Sequence, residues 1–305
     1  MITSKSFTGL GVALATPFLP SSSGAGAVDL GAFERLVASV VAKGADFLVV
    51  LGSTGEAATV TLEERDALVA ATVAGAKGLP VVVGAGHNST AAACDLAARA
   101  ARSGADAILV VMPYYNKPQP AGIEAHFRAI AVASGGLPMI AYNVPGRTGI
   151  NLLPKDLMRL WGIPEVLAVK ESSGNLAQIG EVARTLPEGK ALLSGDDALA
   201  LASIAVGATG LVSVVGNVVP AETKALVAAA LEGRMDEARA LNRELLPLMD
   251  ALFLESNPVP LKAALALAGI GSPAVRLPLY PASEVTTSRL AELLGPFGIG
   301  PRGRA

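Results

Sequence analysis

Short, unbroken apolar runs alternate along this chain with longer Ala/Leu-rich helical stretches. The runs are GVALATPF (11–18), DFLVVLG (46–52), PVVVGAG (80–86), AILVVMP (107–113), PMIAYNV (138–144), VLAVKES (166–172), ALLSGDD (191–197) and GLVSVVGN (210–217). They are continuous rather than alternating, as expected of parallel strands covered on both faces. Between them, stretches such as 29–43, 61–77, 89–103 and 120–134 read as helices. A partial repeat, KGADFLVV, SGADAILVV and VGATGLVSV, recurs where helix gives way to strand. Its glycine can take the left-handed conformation that ends a helix. Eight such units predict an α/β fold, a (β/α)8 TIM barrel, with a doubly wound sheet as the alternative.

The eighth unit ends near residue 231, and 238–254, 260–269 and 288–295 predict further helices against the barrel or a neighbouring subunit. The expected division is a catalytic barrel over 1–231, a C-terminal helical region over 232–296 and a flexible tail over 297–305. Two apolar segments invite a membrane or export reading. The start lacks a basic cluster and is interrupted by Pro17, so it reads as a first strand. The run 198–221 is punctuated by Gly207, Gly210, Gly216 and Asn217, so it reads as helix, turn and buried strand.

Composition narrows the chemistry. In 305 residues, 51% are hydrophobic and 16% charged, enough for a large core, and the formal charge of −2 offers no field for nucleic acid. The single cysteine, Cys94, permits no internal disulfide, and with only His87 and His126 there is little for a metal site or a histidine triad. A soluble, cytoplasmic protein with no cofactor and no bound metal is expected.

Barrel active sites lie at the carboxyl ends of the strands. Of nine lysines, only Lys170 directly follows an apolar strand, Val166 to Val169. Burial favours the neutral amine that attack on a carbonyl requires. The competing reading is an ion pair with Glu171 or Asp196. GSTGEA (52–57) places the Ser53 and Thr54 hydroxyls beside turn N–H groups, a carboxylate cradle. Its alternative role as a helix cap falls instead to Thr61, which heads a capping box with Glu64. YNVPGRTG (142–149) supplies a strand-end phenol, Tyr142, and a guanidinium, Arg147, suited respectively to proton transfer and carboxylate binding. PYYNKP (113–118) adds Tyr114 and Tyr115, whose plainer reading is packing at a subunit interface.

Taken in order, GSTGEA, GAGHNST, PYYNKP, YNVPGRTG, VKESSGN, LSGDD and ESNPVPLKAAL resemble the dihydrodipicolinate synthase branch of the pyruvate-dependent class I aldolases, over about Gly9 to Pro281. That superfamily includes N-acetylneuraminate lyase, whose members lack the Arg-Thr-Gly ending of YNVPGRTG. The resemblance implies a Schiff base between Lys170 and pyruvate. Condensation with L-aspartate 4-semialdehyde would give 4-hydroxy-tetrahydrodipicolinate for lysine and diaminopimelate synthesis. Tyr142 would transfer protons, and Ser53, where the branch usually has threonine, would link it to Tyr115 from a partner subunit. Thr54 would hold the pyruvate carboxylate and Arg147 that of the semialdehyde. Val212 would sit in the pocket through its backbone carbonyl, and Gly195 would also contact the substrate. The assembly implied is a homotetramer, a dimer of dimers.

Family members inhibited by lysine bind it through polar side chains at positions that here include Ala57, Leu62, Arg65 and Ala92, with Asn88 and Tyr114 retained. Weak or absent lysine inhibition is therefore expected. The alternative within the family is another pyruvate-dependent lyase acting on N-acetylneuraminate or a 2-keto-3-deoxy sugar acid. A catalytically silent ligand sensor would have no need of a strand-end lysine.

Overall fold

The computed structural model describes residues 2–21 and 24–300. Eight parallel strands close into a barrel: β1 (Gly9–Ala13), β4 (Phe47–Val50), β5 (Val81–Gly84), β6 (Ala107–Val111), β7 (Met139–Asn143), β8 (Val166–Glu171), β9 (Ala191–Ser194) and β10 (Gly210–Ser213). They pair in chain order, and β1 joins β10 on one side and β4 on the other. Each crossover carries helix, so the strands are covered on both faces and are mostly apolar, with polar residues such as Asn143, Lys170, Glu171, Ser194 and Ser213 at their carboxyl ends. At the three repeats, Gly44, Gly104 and Gly207 adopt φ of +98°, +84° and +121°, the left-handed helix ends that the sequence implies.

The first strand is shorter than expected. It ends at Ala13, and the segment expected to complete it turns away: Phe18–Ser21 (β2) pairs antiparallel with Gly24–Val28 (β3) outside the barrel. Pro17 cannot donate to a ladder, and the Thr16 hydroxyl is taken by the Gly55 carbonyl at 2.8 Å. Thr61 and Glu64 do form the capping box, with bonds of 3.2 and 2.9 Å.

Two apolar layers result. The larger lies between strands and helices. The smaller fills the barrel interior with Phe47, Val49, Leu109, Ile140, Ala168 and Val212, and Phe7 plugs it by packing edge-on to Phe47 at 5.8 Å. Helices Met235–Ala251, Val259–Leu267 and Glu284–Leu294 pack on one another and on the barrel's last helices. Phe297 and Ile299 also pack against the core, so fraying does not begin at 297; residues 301–305 lie outside the described residues. Among the described residues no helix is long and apolar enough to cross a membrane.

His126, buried on helix Pro120–Ala133, shares a 2.9 Å hydrogen bond between its Nδ1 and Thr90 Oγ1, while its Nε2 has no partner among the described residues. Burial, with a smaller contribution from His87, pushes its pKa from 6.5 to about 4. The folded state thus refuses a proton that the unfolded state accepts. Stability is complete above pH 6.5 and falls as pH drops towards 4, by up to roughly 3 kcal/mol. Denaturant unfolding at pH 7 and pH 4.5 should show a steeper loss for the wild type than for His126→Gln. Equal losses would contradict the assignment.

Candidate active site

The pleat of β8 decides which charged group enters the barrel. Ala168 lies in the interior layer, so Lys170, two residues on, points the same way, while Glu171 points to the helices. There Glu171 accepts from Asn143 Nδ2 (3.0 and 3.2 Å), the Ser173 N–H (2.7 Å) and Gln178 Nε2 (3.4 Å). Asp196 is occupied with the Ala198 N–H. Lys170 is 6% exposed, and among the described residues its amine has no hydrogen bond or ion pair. The ion-pair reading is excluded.

Tyr142 stands level with Lys170 in the β7–β8 register, and Lys170 Nζ lies 4.3 Å from its ring centroid. A basic nitrogen and a phenol therefore share one buried spot at the strand ends. Gly195, just beyond β9, makes the room. A Cβ there would collide with Ser172 Oγ and come within 2.7 Å of Lys170 Cε.

A cavity of about 580 Å³ opens at this end of the barrel, and Ser53, Tyr142, Arg147 and Asn257 line it. The Ser53 and Thr54 N–H groups find no acceptor among the described residues, leaving two donors at the turn. Such paired N–H groups suit a carboxylate. Thr54 itself is buried, its hydroxyl accepting from Asn257 Nδ2 at 3.0 Å. Arg147 is fixed by a 3.0 Å bond from its Nη2 to the Asn257 carbonyl. Val212 belongs to the interior layer beside Tyr142 and, like Lys170, Thr54 and Gly195, lies behind the residues that line the cavity rather than among them.

Two expected partnerships are not made within one chain. No hydrogen bond joins Ser53 to Tyr142 among the described residues, although both face the cavity. Tyr115 is 88% exposed, with φ of +73°, and stands outside the site.

The dihydrodipicolinate synthetase family model matches residues 6–295. The chain belongs to this family. A curated 4-hydroxy-tetrahydrodipicolinate synthase from Alcanivorax borkumensis is 45% identical, with 94% of this chain and 97% of that protein covered. The solved dihydrodipicolinate synthase from Thermotoga maritima superposes with a TM-score of 0.91 at 40% identity, covering 96% of this chain and 99% of that one. A chloride-inhibited dihydrodipicolinate synthase from Acinetobacter baumannii, complexed with pyruvate, superposes with a TM-score of 0.92 at 37% identity, covering 96% and 99%.

In this dihydrodipicolinate synthetase family member, three groups escaped the residue-level reading. Asn257 joins Thr54 to Arg147. Lys262, on the apolar helix Val259–Leu267, is a second buried lysine, its side chain 1% exposed and its Nζ 2.6 Å from Glu56 Oε1. Burial pushes it down to about 8, against the pull of Glu56. Asp197, which burial pushes up, accepts from Ser213 Oγ (2.5 Å) and the N–H groups of Val214 (2.8 Å) and Val215 (3.0 Å), bracing the loop after β10. The signal for Lys262 was present: one lysine among eight apolar residues of VPLKAALAL.

Proposed function

We propose that this enzyme condenses pyruvate with L-aspartate 4-semialdehyde through a Schiff base at Lys170, forming 4-hydroxy-tetrahydrodipicolinate for lysine and diaminopimelate synthesis. The observation that carries this is the buried, unpaired Lys170 amine beneath the Tyr142 ring. The amine attacks the keto carbon of pyruvate, water leaves, and the iminium makes the methyl group acidic. Tyr142 is placed to carry protons to and from the reacting centre. The Ser53 and Thr54 N–H groups hold the pyruvate carboxylate, and Val212 and Gly195 shape its surroundings. The resulting enamine attacks the semialdehyde, whose carboxylate Arg147 binds. The substrate's own amine then displaces Lys170 as the ring closes.

We further infer a homotetramer built from dimers in which Tyr115 enters the partner's site and meets Ser53, completing a proton relay. A tyrosine 88% exposed in a left-handed conformation supports this reading. A cytoplasmic location fits a chain whose one cysteine, Cys94, is a free thiol.

Borohydride reduction in the presence of pyruvate, followed by mass mapping, should place the adduct on Lys170; an adduct elsewhere overturns the mechanism. Arg147→Ala separates this substrate from sugar acids. Losing a charge-assisted hydrogen bond costs about 1.5–3 kcal/mol, a tenfold to hundredfold fall in kcat/KM for the semialdehyde. An unchanged value would favour the sugar-acid lyase. L-Lysine should inhibit weakly or not at all, since alanine at position 92 leaves its α-ammonium without a counter-charge; sub-millimolar inhibition in an activity assay would refute that.

A further inference from the structure

The turn that carries Ser53 and Thr54 is held by residues far from it in the chain, most of them beyond the barrel. Thr16 donates to the Gly55 carbonyl, and Asn257 donates to the Thr54 hydroxyl. The strongest hold is on Glu56, which closes the turn in a left-handed conformation with φ of +50°. One of its carboxylate oxygens accepts from Lys262 Nζ at 2.6 Å and the other from the Arg276 N–H at 3.1 Å. Both charged side chains are at most 2% exposed. The Phe18 ring closes over the pair, its centroid 4.0 Å from Lys262 Nζ. The Arg276 guanidinium lies against the same ring but spends its charge on Glu64, so Glu56 is the only counter-charge that Lys262 has among the described residues.

Stability is a weak reason for such a pair. Desolvating two ions offsets their attraction, and apolar replacements of similar size are often as stable or more so. Its placement suggests another role. A non-glycine residue held left-handed relaxes when its anchor is lost. Relaxation at Glu56 would swing the preceding peptides, which include the two free N–H groups.

We propose that Glu56 and Lys262 are positioning residues for pyruvate: their ion pair locks the turn so that the Ser53 and Thr54 N–H groups converge on the substrate carboxylate. This rests on the pyruvate chemistry proposed above. It makes the C-terminal helical region part of the substrate site, with Asn257 and Lys262 gripping one turn from one segment.

The test uses two variants of the full chain. E56Q is isosteric, and Lys262, already depressed by burial, can shed its proton when the partner charge goes. E56Q/K262M removes both charges at nearly constant volume. Circular dichroism and thermal unfolding report folding. In a folded variant the KM for pyruvate should rise about tenfold or more, as when a charge-assisted hydrogen bond to a carboxylate is lost. Borohydride trapping at low pyruvate should slow in proportion and recover at saturation. The semialdehyde KM should stay within about threefold, because the anchor of Arg147 is untouched. A folded variant with wild-type pyruvate KM and trapping overturns the proposal. Failure of both variants to fold assigns the pair to stability and overturns it equally. No Lys170 adduct in the wild-type protein would instead sink the reaction itself, and this inference with it.

Discussion

Lys170→Met should abolish condensation, lowering kcat by roughly 10⁴-fold or more, the scale on which removal of a covalent nucleophile acts. It should do so without unfolding the protein. The replacement is close in volume and apolar, and it enters an interior of Ala168, Leu193, Tyr142 and Val212. Deleting a lysine from a buried ion pair would strand a carboxylate at a cost of about 3–5 kcal/mol. Lys170 has no such partner among the described residues, so the melting temperature should stay within a few degrees of the wild type. Steady-state kinetics and a thermal melt on the same preparation check both parts. Residual activity within about a hundredfold of wild type would sink the covalent assignment.

Gly195→Ala should also be damaging, though less so than loss of the lysine, even though it adds only a methyl group. Ser172 Oγ, the nearer obstacle, is buried without a hydrogen-bond partner among the described residues and can rotate aside. The Lys170 stem cannot, because Tyr142 lies over the amine. The new carbon, 2.7 Å from Cε, therefore moves the lysine itself. Displacing a reacting group by about 1 Å costs on the order of a hundredfold in rate. The expected result is a comparable fall in both kcat/KM and the rate of borohydride trapping. Wild-type trapping in this variant would show that the contact relaxes elsewhere and that Gly195 plays no part in aiming the amine.

The difference between the two lysines separates what is local from what is not. Lys170 was legible because its strand and its position at the strand end follow from neighbours in sequence. That Glu171 and Asp196 leave its amine unpaired did not, and the ion-pair reading stayed open until the structure gave both carboxylates other partners. The capping box at Thr61 and the glycine-terminated helices are local in the same sense. Asn257 and Lys262 were missed as site residues for the opposite reason. Their partners, Thr54 and Glu56, lie 203 and 206 residues away, and no periodicity carries that information.

The first strand shows the same limit from the other side. Residues 11–18 form one apolar run, yet it breaks after Ala13 because Thr16 and Phe18 are claimed by the Gly55 turn and by the box around Lys262. Sequence alone determined the barrel, the strand-end lysine and phenol, and the glycine turn, since each depends on hydrophobic period and covalent order. The tertiary structure decided which lysine is left without a counter-charge and which is neutralised. Burial and pairing are properties of distant residues brought into contact, and the energy of a buried charge depends on that contact.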